Sequence, residues 1–206
     1  MRFLLMSLVP VAAMSAQQVV PVASEAKHHR VFENSHTQVY DVVVPAGDST
    51  LYHVHANDYV YVTFGAASLE AQALGSTAAK LDLADGEVRF TKGPITHRVL
   101  NPSSTPFHNL TIVVLEPAHV VLAPRAAGDS VLENDRVRVT RLVLEPGAPA
   151  VRQTHRGPWL AVVVHGGALG RTAVVPGWYR WYEAGRGETI VNAGSSRLEL
   201  VEIEWK

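Results

Sequence analysis

The chain has 206 residues, 47% of them hydrophobic, with 18 Lys and Arg against 19 Asp and Glu, ten His and no Cys. That is enough apolar material to bury two cores of about 100 residues each. Balanced charge offers no basic face for nucleic acid or an anionic membrane. The lack of cysteine removes disulfides, thiolate metal sites, iron–sulfur clusters and cysteine nucleophiles, leaving histidines and carboxylates as metal-capable groups.

In chain order, Arg2, the apolar run Phe3 to Ala13 and the small residues Ala12, Ala13, Ser15 and Ala16 read as a signal peptide over residues 1–16. Cleavage would give a mature chain near Gln17 that is periplasmic or secreted, and no other segment approaches the ~18 apolar residues of a bilayer span. His28-His29 lies in a polar stretch and is expected to be solvated. Val39 to Val44 is a β-branched run closed by Pro45-Ala46-Gly47, and Tyr59 to Phe64 alternates with the period of a strand. Ser68 to Ala79 is the one place where a turn of helix is expected. Glu87 to Thr91, Arg98 to Asn101 and Leu110 to Leu115 continue the strands, with turns at Ala84-Asp85-Gly86, Lys92-Gly93-Pro94 and Asn101-Pro102-Ser103. Short strands at this spacing predict an all-β sandwich or barrel. Pro117 to Asp129 reads as a connection, giving a first domain over 17–116, a linker and first strand over 117–130, and a second domain over 131–206.

The two halves repeat. At a shift of 100, residues 31–67 and 131–167 share eight identities without a gap, among them Glu33/Glu133, Asn34/Asn134, Gly47/Gly147 and His55/His155. Unrelated sequences would share about two or three. Beyond residue 86 the shift becomes 91, aligning Gly86 with Gly177, Phe90 with Trp181 and Asn101 with Asn192. A duplication accounts for both shifts. Barrels duplicated in this way are expected to pack through sheet edges as one compact unit.

His53 and His55 stand two apart in a strand, so both imidazoles face the same way, about 7 Å apart. His97, after the Gly93-Pro94 turn, can supply a third nitrogen from a facing strand, and Asp58 is near enough in sequence to add an oxygen. Tyr52, Tyr59 and Tyr61 are candidate acid–base or supporting groups. His28, His29, His36, His108, His119 and His165 fit no ligand spacing. The alternative for the triad is a set of core histidines without metal.

The segment resembles the first signature of the cupin family, a glycine followed by His-x-His, a glutamate and a second glycine: Gly47, His53 and His55 match it, and Asp58 stands in place of the glutamate, with six residues between it and Gly65 and the loop from His55 one residue short. Gly86, His97 and Asn101 match the second signature, with Lys92 and Pro94 departing from it. The resemblance implies two tandem cupin-type β-barrels (jelly rolls) and one divalent transition metal, Fe, Mn, Ni or Zn, held by His53, His55 and His97 with Asp58. It further implies a small-molecule substrate, with dioxygenase chemistry ahead of isomerase or lyase chemistry and Tyr59 or Tyr61 as catalytic partners. A non-catalytic metal- or small-ligand-binding protein and a structural module are the competing readings, and a homodimer stays open. In the second copy Gln153, Pro158 and Glu188 replace His53, Asp58 and His97, leaving His155, so that barrel is expected to be degenerate, the alternative being a weak hard-cation site of Gln153, His155 and Glu188. Its aromatics, Trp159, Trp178, Tyr179, Trp181 and Tyr182, either line a pocket or fill the core.

Overall fold

The structure is a computed structural model that describes residues 18–124 and 127–206. The expected signal peptide over residues 1–16 lies outside the described residues. The first half holds ten strands: β1 (Val19–Pro21), β2 (His28–Glu33), β3 (Thr37–Val44), β4 (Tyr52–His55), β5 (Tyr59–Phe64), β6 (Ala67–Ala73), β7 (Ala79–Leu83), β8 (Val88–Thr91), β9 (Ile95–Leu100) and β10 (Phe107–Val114). The second half holds β11 (Asp129–Glu133), β12 (Val137–Leu144), β13 (Val151–Thr154), β14 (Trp159–His165), β15 (Ala168–Leu169), β16 (Thr172–Ala173), β17 (Tyr179–Tyr182), β18 (Gly187–Ile190) and β19 (Leu198–Trp205). Among the described residues no helix is long and apolar enough to cross a membrane.

The first barrel is closed by two five-stranded sheets, ordered β1-β4-β9-β6-β7 and β2-β3-β10-β5-β8. The second repeats the latter sheet as β11-β12-β19-β14-β17 and breaks the former into the pairs β13-β18 and β15-β16. Residues 68–79 form no helix: they run as β6 into a hairpin with β7, where Leu69 faces Leu81 across the pair and is buried. Alternating burial and cross-strand pairing outweigh the weak helical signal of Ala, Glu and Gln there.

The duplication is visible as repeated bonds. The Asn101 side-chain amide donates to the carbonyls of Val44 and Thr105, and that of Asn192 donates to those of Leu144 and Ser196. Those partners stand at the shifts of 100 and 91 read from the sequence. Asn34 and Asn134 likewise accept from the backbone two and three residues on.

The barrels meet face to face rather than through their edges. Val39, Val60, Val62, Leu110, Ile112 and Val114 of the first form one buried cluster with Val137, Val139, Leu160, Val162, Val201, Ile203 and Trp205 of the second. Each of these strands alternates, so one set of side chains enters this shared core while the other faces its own barrel. Polar bonds frame the apolar layer: the indole N–H of Trp205 donates to the His36 carbonyl (3.1 Å), Arg136 to that of Leu115 (2.6 Å), and the Tyr179 hydroxyl to that of Val31 (2.9 Å).

Trp205 is fully buried in that layer, and Trp205→Ala should cost about 3–5 kcal/mol. Because both barrels share the core, thermal unfolding followed by circular dichroism should be one transition in the wild type. Two resolved transitions would show that the barrels fold independently.

Candidate metal centre

His53 and His97 are directly opposite each other in the antiparallel β4–β9 pair, and His55 lies two residues along, opposite Ile95. Cross-strand neighbours have Cβ atoms about 4.5–5.5 Å apart, so register alone brings the three imidazoles together. Their ring centroids are 4.6 Å (His53–His97), 4.9 Å (His53–His55) and 5.2 Å (His55–His97) apart. His97 therefore reaches the site from the neighbouring strand of the same sheet, not from a facing one.

The facing sheet contributes a residue that spacing does not reveal. His28, at the start of β2, is buried, 4.5 Å from the His53 ring and 5.9 Å from that of His55. The expectation of a solvated His28 is thus corrected. One ring nitrogen from each of His28, His53 and His55 lies within 4.8 Å of the others. The cause is Glu25, which follows the short 3-10 turn Val22–Ser24. Glu25 is buried, and its carboxylate accepts from His28 Nδ1 (2.8 Å), the Lys27 N–H (2.8 Å) and the Leu51 N–H (3.2 Å). Burial opposes its ionisation, but those donors hold its pKa down at about 2. A carboxylate three residues before a histidine is the one sequence signal that could have marked this pair.

One tautomer and one ring orientation follow from these partners. A carbonyl only accepts, so the contact of His53 Nδ1 with the Leu51 carbonyl (2.9 Å) puts the proton on Nδ1 and leaves a lone pair on Nε2. His28 Nδ1 likewise faces the Glu25 carboxylate, which turns its Nε2 away from that partner. His53 Nε2, His55 Nδ1 and His97 Nε2 are buried without a hydrogen-bond partner. Burial holds all three imidazoles neutral, His53 to about pH 4, His97 to about 3 and His55 to about 2, and the neighbouring histidines add to the effect. Neutral, inward, orphaned imidazole nitrogens are the donor set a divalent transition ion takes.

Asp58 is engaged elsewhere. Its carboxylate accepts from the Gly93 N–H (2.9 Å) and lies 3.6 Å from the guanidinium of Arg136 in the second barrel. The approach is close: a Cβ on Gly93 would come within 2.5 Å of the Asn57 carbonyl.

The histidines line one end of a cavity of about 270 Å³. Its walls are mostly apolar, with Val42, Val44, Leu69, Leu83, Phe90 and Phe107, and its polar groups include Tyr59, Tyr61, Arg89, Asn109 and Thr111. Tyr59 and Tyr61 alternate inward from β5 while Val60 and Val62 enter the shared core. The Tyr59 ring stacks on His55 at 4.2 Å, and burial pushes its hydroxyl up to about 12. Tyr52 is buried on β4 with the Arg98 guanidinium over its ring. In the second barrel Gln153 and Glu188 face each other across β13–β18, where His53 and His97 stand in the first. The Glu188 carboxylate lies 3.9 Å from Arg180.

No protein-family model matches the chain, and no curated protein matches it in sequence. Solved structures do match its fold. Salicylate 1,2-dioxygenase from Pseudaminobacter salicylatoxidans superposes with a TM-score of 0.65 at 10% identity, over 89% of this chain and 77% of that one. Protein Ylba from E. coli gives 0.63 at 12% identity, over 94% and 88%. Oxalate decarboxylase from Lactobacillus farciminis gives 0.60 at 10% identity, over 87% and 84%. The fold is therefore two tandem cupin-type β-barrels.

Burying neutral imidazoles makes the metal-free protein sensitive to acid. Below pH 6.5, the ordinary histidine value, the unfolded chain binds protons that the folded chain refuses until about pH 4 or lower. The stability this contributes is complete above pH 6.5 and is lost as pH falls from there toward the folded-state values. Melting midpoints of metal-free protein should drop between about pH 7 and about pH 4.5, and His55→Leu should flatten the decline.

Proposed function

We propose that the first barrel is the metal-dependent active site of a small-molecule enzyme, a dioxygenase-like oxidoreductase of the cupin type, in a periplasmic or secreted protein. The observation that carries this reading is the set of orphaned imidazole nitrogens lining a mostly apolar cavity. His53, His55 and His97 would hold one divalent ion, Fe, Mn, Ni or Zn, and His28 adds a fourth nitrogen held in place by Glu25. Asp58, the acidic residue of the signature, is committed to Gly93 and Arg136, and His28 offers the site a donor from the opposite wall. A bound ion of this kind supplies Lewis acidity and open positions for a chelating substrate and a co-reactant.

The chain's own groups do the rest. The aliphatic and aromatic walls exclude water and favour a small, largely apolar molecule carrying one polar anchoring group. Tyr59 keeps its proton at neutral pH and serves as a hydrogen-bond donor rather than a base. Arg89, held by Glu87 and bordering the cavity, favours an anionic or carbonyl-bearing substrate. A binding protein without catalysis is the second reading, supported by a cavity lining that includes no carboxylate to act as a general base.

Elemental analysis of untagged protein starting at Gln17 tests the site. Relative to wild type, His53→Ala and His97→Ala should each lose one equivalent of metal while keeping the folded circular dichroism spectrum. Glu25→Gln should weaken metal affinity by about 10–100-fold, as expected for removal of a group that orients a ligand. Oxygen uptake by the metal-loaded protein with small aromatic and hydroxy-acid substrates then separates the enzyme from the binding protein. Wild-type protein whose metal content is unchanged by both histidine variants would sink both readings of this site.

A further inference from the structure

Of the first barrel's histidine cluster the second keeps only His155, but it has gained two buried carboxylates, Glu202 and Glu204, on the inner face of β19. In the first barrel the corresponding strand β10 carries Thr111 and Val113, as the matching registers of β10 on β3 and β19 on β12 show. These carboxylates border a small cavity of about 10 Å³ together with His155, Gln153 and Thr140. That is room for a single ion or a single water.

The polar groups around this space are poorly satisfied. Gln153 is 2% exposed, and its amide nitrogen has no partner. Glu202 Oε1 also lacks a hydrogen bond, while the two nitrogens of His155 meet only carboxylates, Nδ1 at 3.2 Å and Nε2 at 3.5 Å. A buried polar atom left unsatisfied is costly and in native proteins usually marks a bound water or ion. Glu204 is anchored, its Oε1 accepting from the N–H groups of Arg156 (3.0 Å) and Gly157 (3.1 Å). Its Oε2 lies 3.2 Å from His155 Nδ1, which directs His155 Nε2 toward Glu202 Oε2 at 3.5 Å. Two ligands of a tetrahedral ion bound at about 2.1 Å are about 3.4 Å apart. Arg138 also borders the space, but its guanidinium is taken by Glu133 and the Ala123 carbonyl.

We propose that the second barrel holds its own divalent first-row transition ion, bound by His155 Nε2, the Glu202 carboxylate and the Gln153 side-chain oxygen. Glu204 orients His155 through Nδ1 as Glu25 orients His28 in the first barrel. The Gln153 amide nitrogen has no partner to hold it, and a half turn about the last torsion presents the oxygen in its place. One imidazole and oxygen donors, one of them ionised, form a mixed set suited to Zn or Mn. With Trp159 stacked on His155 at 4.2 Å and on Tyr182 at 4.0 Å, the space beside it is filled, so the ion is structural and reaches no substrate. The competing occupant is a proton: burial disfavours a charged His155, but the two glutamates raise its pKa to about 9.

The test uses full-length mature protein carrying His53→Ala and His55→Ala, which silences the first barrel. After equilibration with Zn(II) and gel filtration, about one equivalent should remain bound. Zinc at a hundredfold excess over Kd should raise its melting midpoint by about 5–10 °C. Adding Glu202→Gln should abolish both effects. Gln153→Leu, which leaves the charges untouched and guards against a folding failure, should weaken zinc affinity at least about tenfold. If the His53→Ala/His55→Ala protein binds no zinc and its melting is unmoved, Glu202 and Glu204 clamp a protonated His155 and the proposal falls. Zinc retained equally by the Glu202→Gln and Gln153→Leu proteins would place it on surface histidines, with the same consequence. Neither result bears on the first barrel, whose occupancy is read in the wild type.

Discussion

The shared layer between the barrels is the constraint on which the rest of the molecule depends. The sheet β2-β3-β10-β5-β8 is covered on both faces, by the second barrel outside and by its own cavity lining inside. A strand covered on both sides cannot slip by one residue without exchanging its two sets of side chains. Val60 and Val62 in the shared core therefore fix Tyr59 and Tyr61 toward the cavity, and Leu110 and Ile112 do the same for Asn109 and Thr111. Each barrel would otherwise expose an apolar face that a chain of about 100 residues could not afford to leave in water.

Within that frame the histidine cluster is held at a cost. Four imidazoles gathered in an apolar cavity cannot all be charged, and three of them keep a nitrogen with nothing to bond. Two hydrogen bonds, His53 to the Leu51 carbonyl and His28 to Glu25, decide which nitrogens face inward. Both partners lie outside the strand pair that carries His53 and His97. The donor set is thus prepared by the turn around residue 25 and the approach to β4, before any ligand arrives.

Much of this was legible in the sequence, and the limits have physical causes. His53 and His55 could be placed on one face because strand side chains alternate, and the repeat was readable because Asn34, Gly47 and Asn101 serve the same turns in both copies. The sequence could not reveal that His97 stands opposite His53, since register depends on the length of the intervening hairpins. His28 carries no such signal, because its role comes from Glu25, a buried carboxylate in an irregular segment that no periodic pattern marks. Asp58 matched a signature position, but its environment depends on Arg136, a residue of the other half that no local motif can supply. Face-to-face docking was likewise hidden, because apolar residues on both faces of a strand can serve either a sandwich or a neighbour.

The two copies also show why one fold encloses an open cavity in one barrel only. In the first, Tyr59 stacks on His55 and pairs across the sheet with Thr91, and the space beyond stays open at about 270 Å³. In the second, Trp159 stands in place of Tyr59 and faces Tyr182, and their rings stack nearly parallel at 4.0 Å. Two large aromatics where a tyrosine and a threonine stood fill the barrel with side chains. A packed interior of this kind contributes stability through aromatic burial but leaves no volume for a substrate. The shorter second copy, with its second sheet reduced to the pairs β13-β18 and β15-β16, has less wall to enclose a cavity. Its remaining inward polar groups, His155 with Glu202 and Glu204, can then hold only something the size of an ion. Divergence after duplication thus followed volume: the copy that kept its cavity kept its histidines, and the copy that filled its cavity became the platform against which the first is packed.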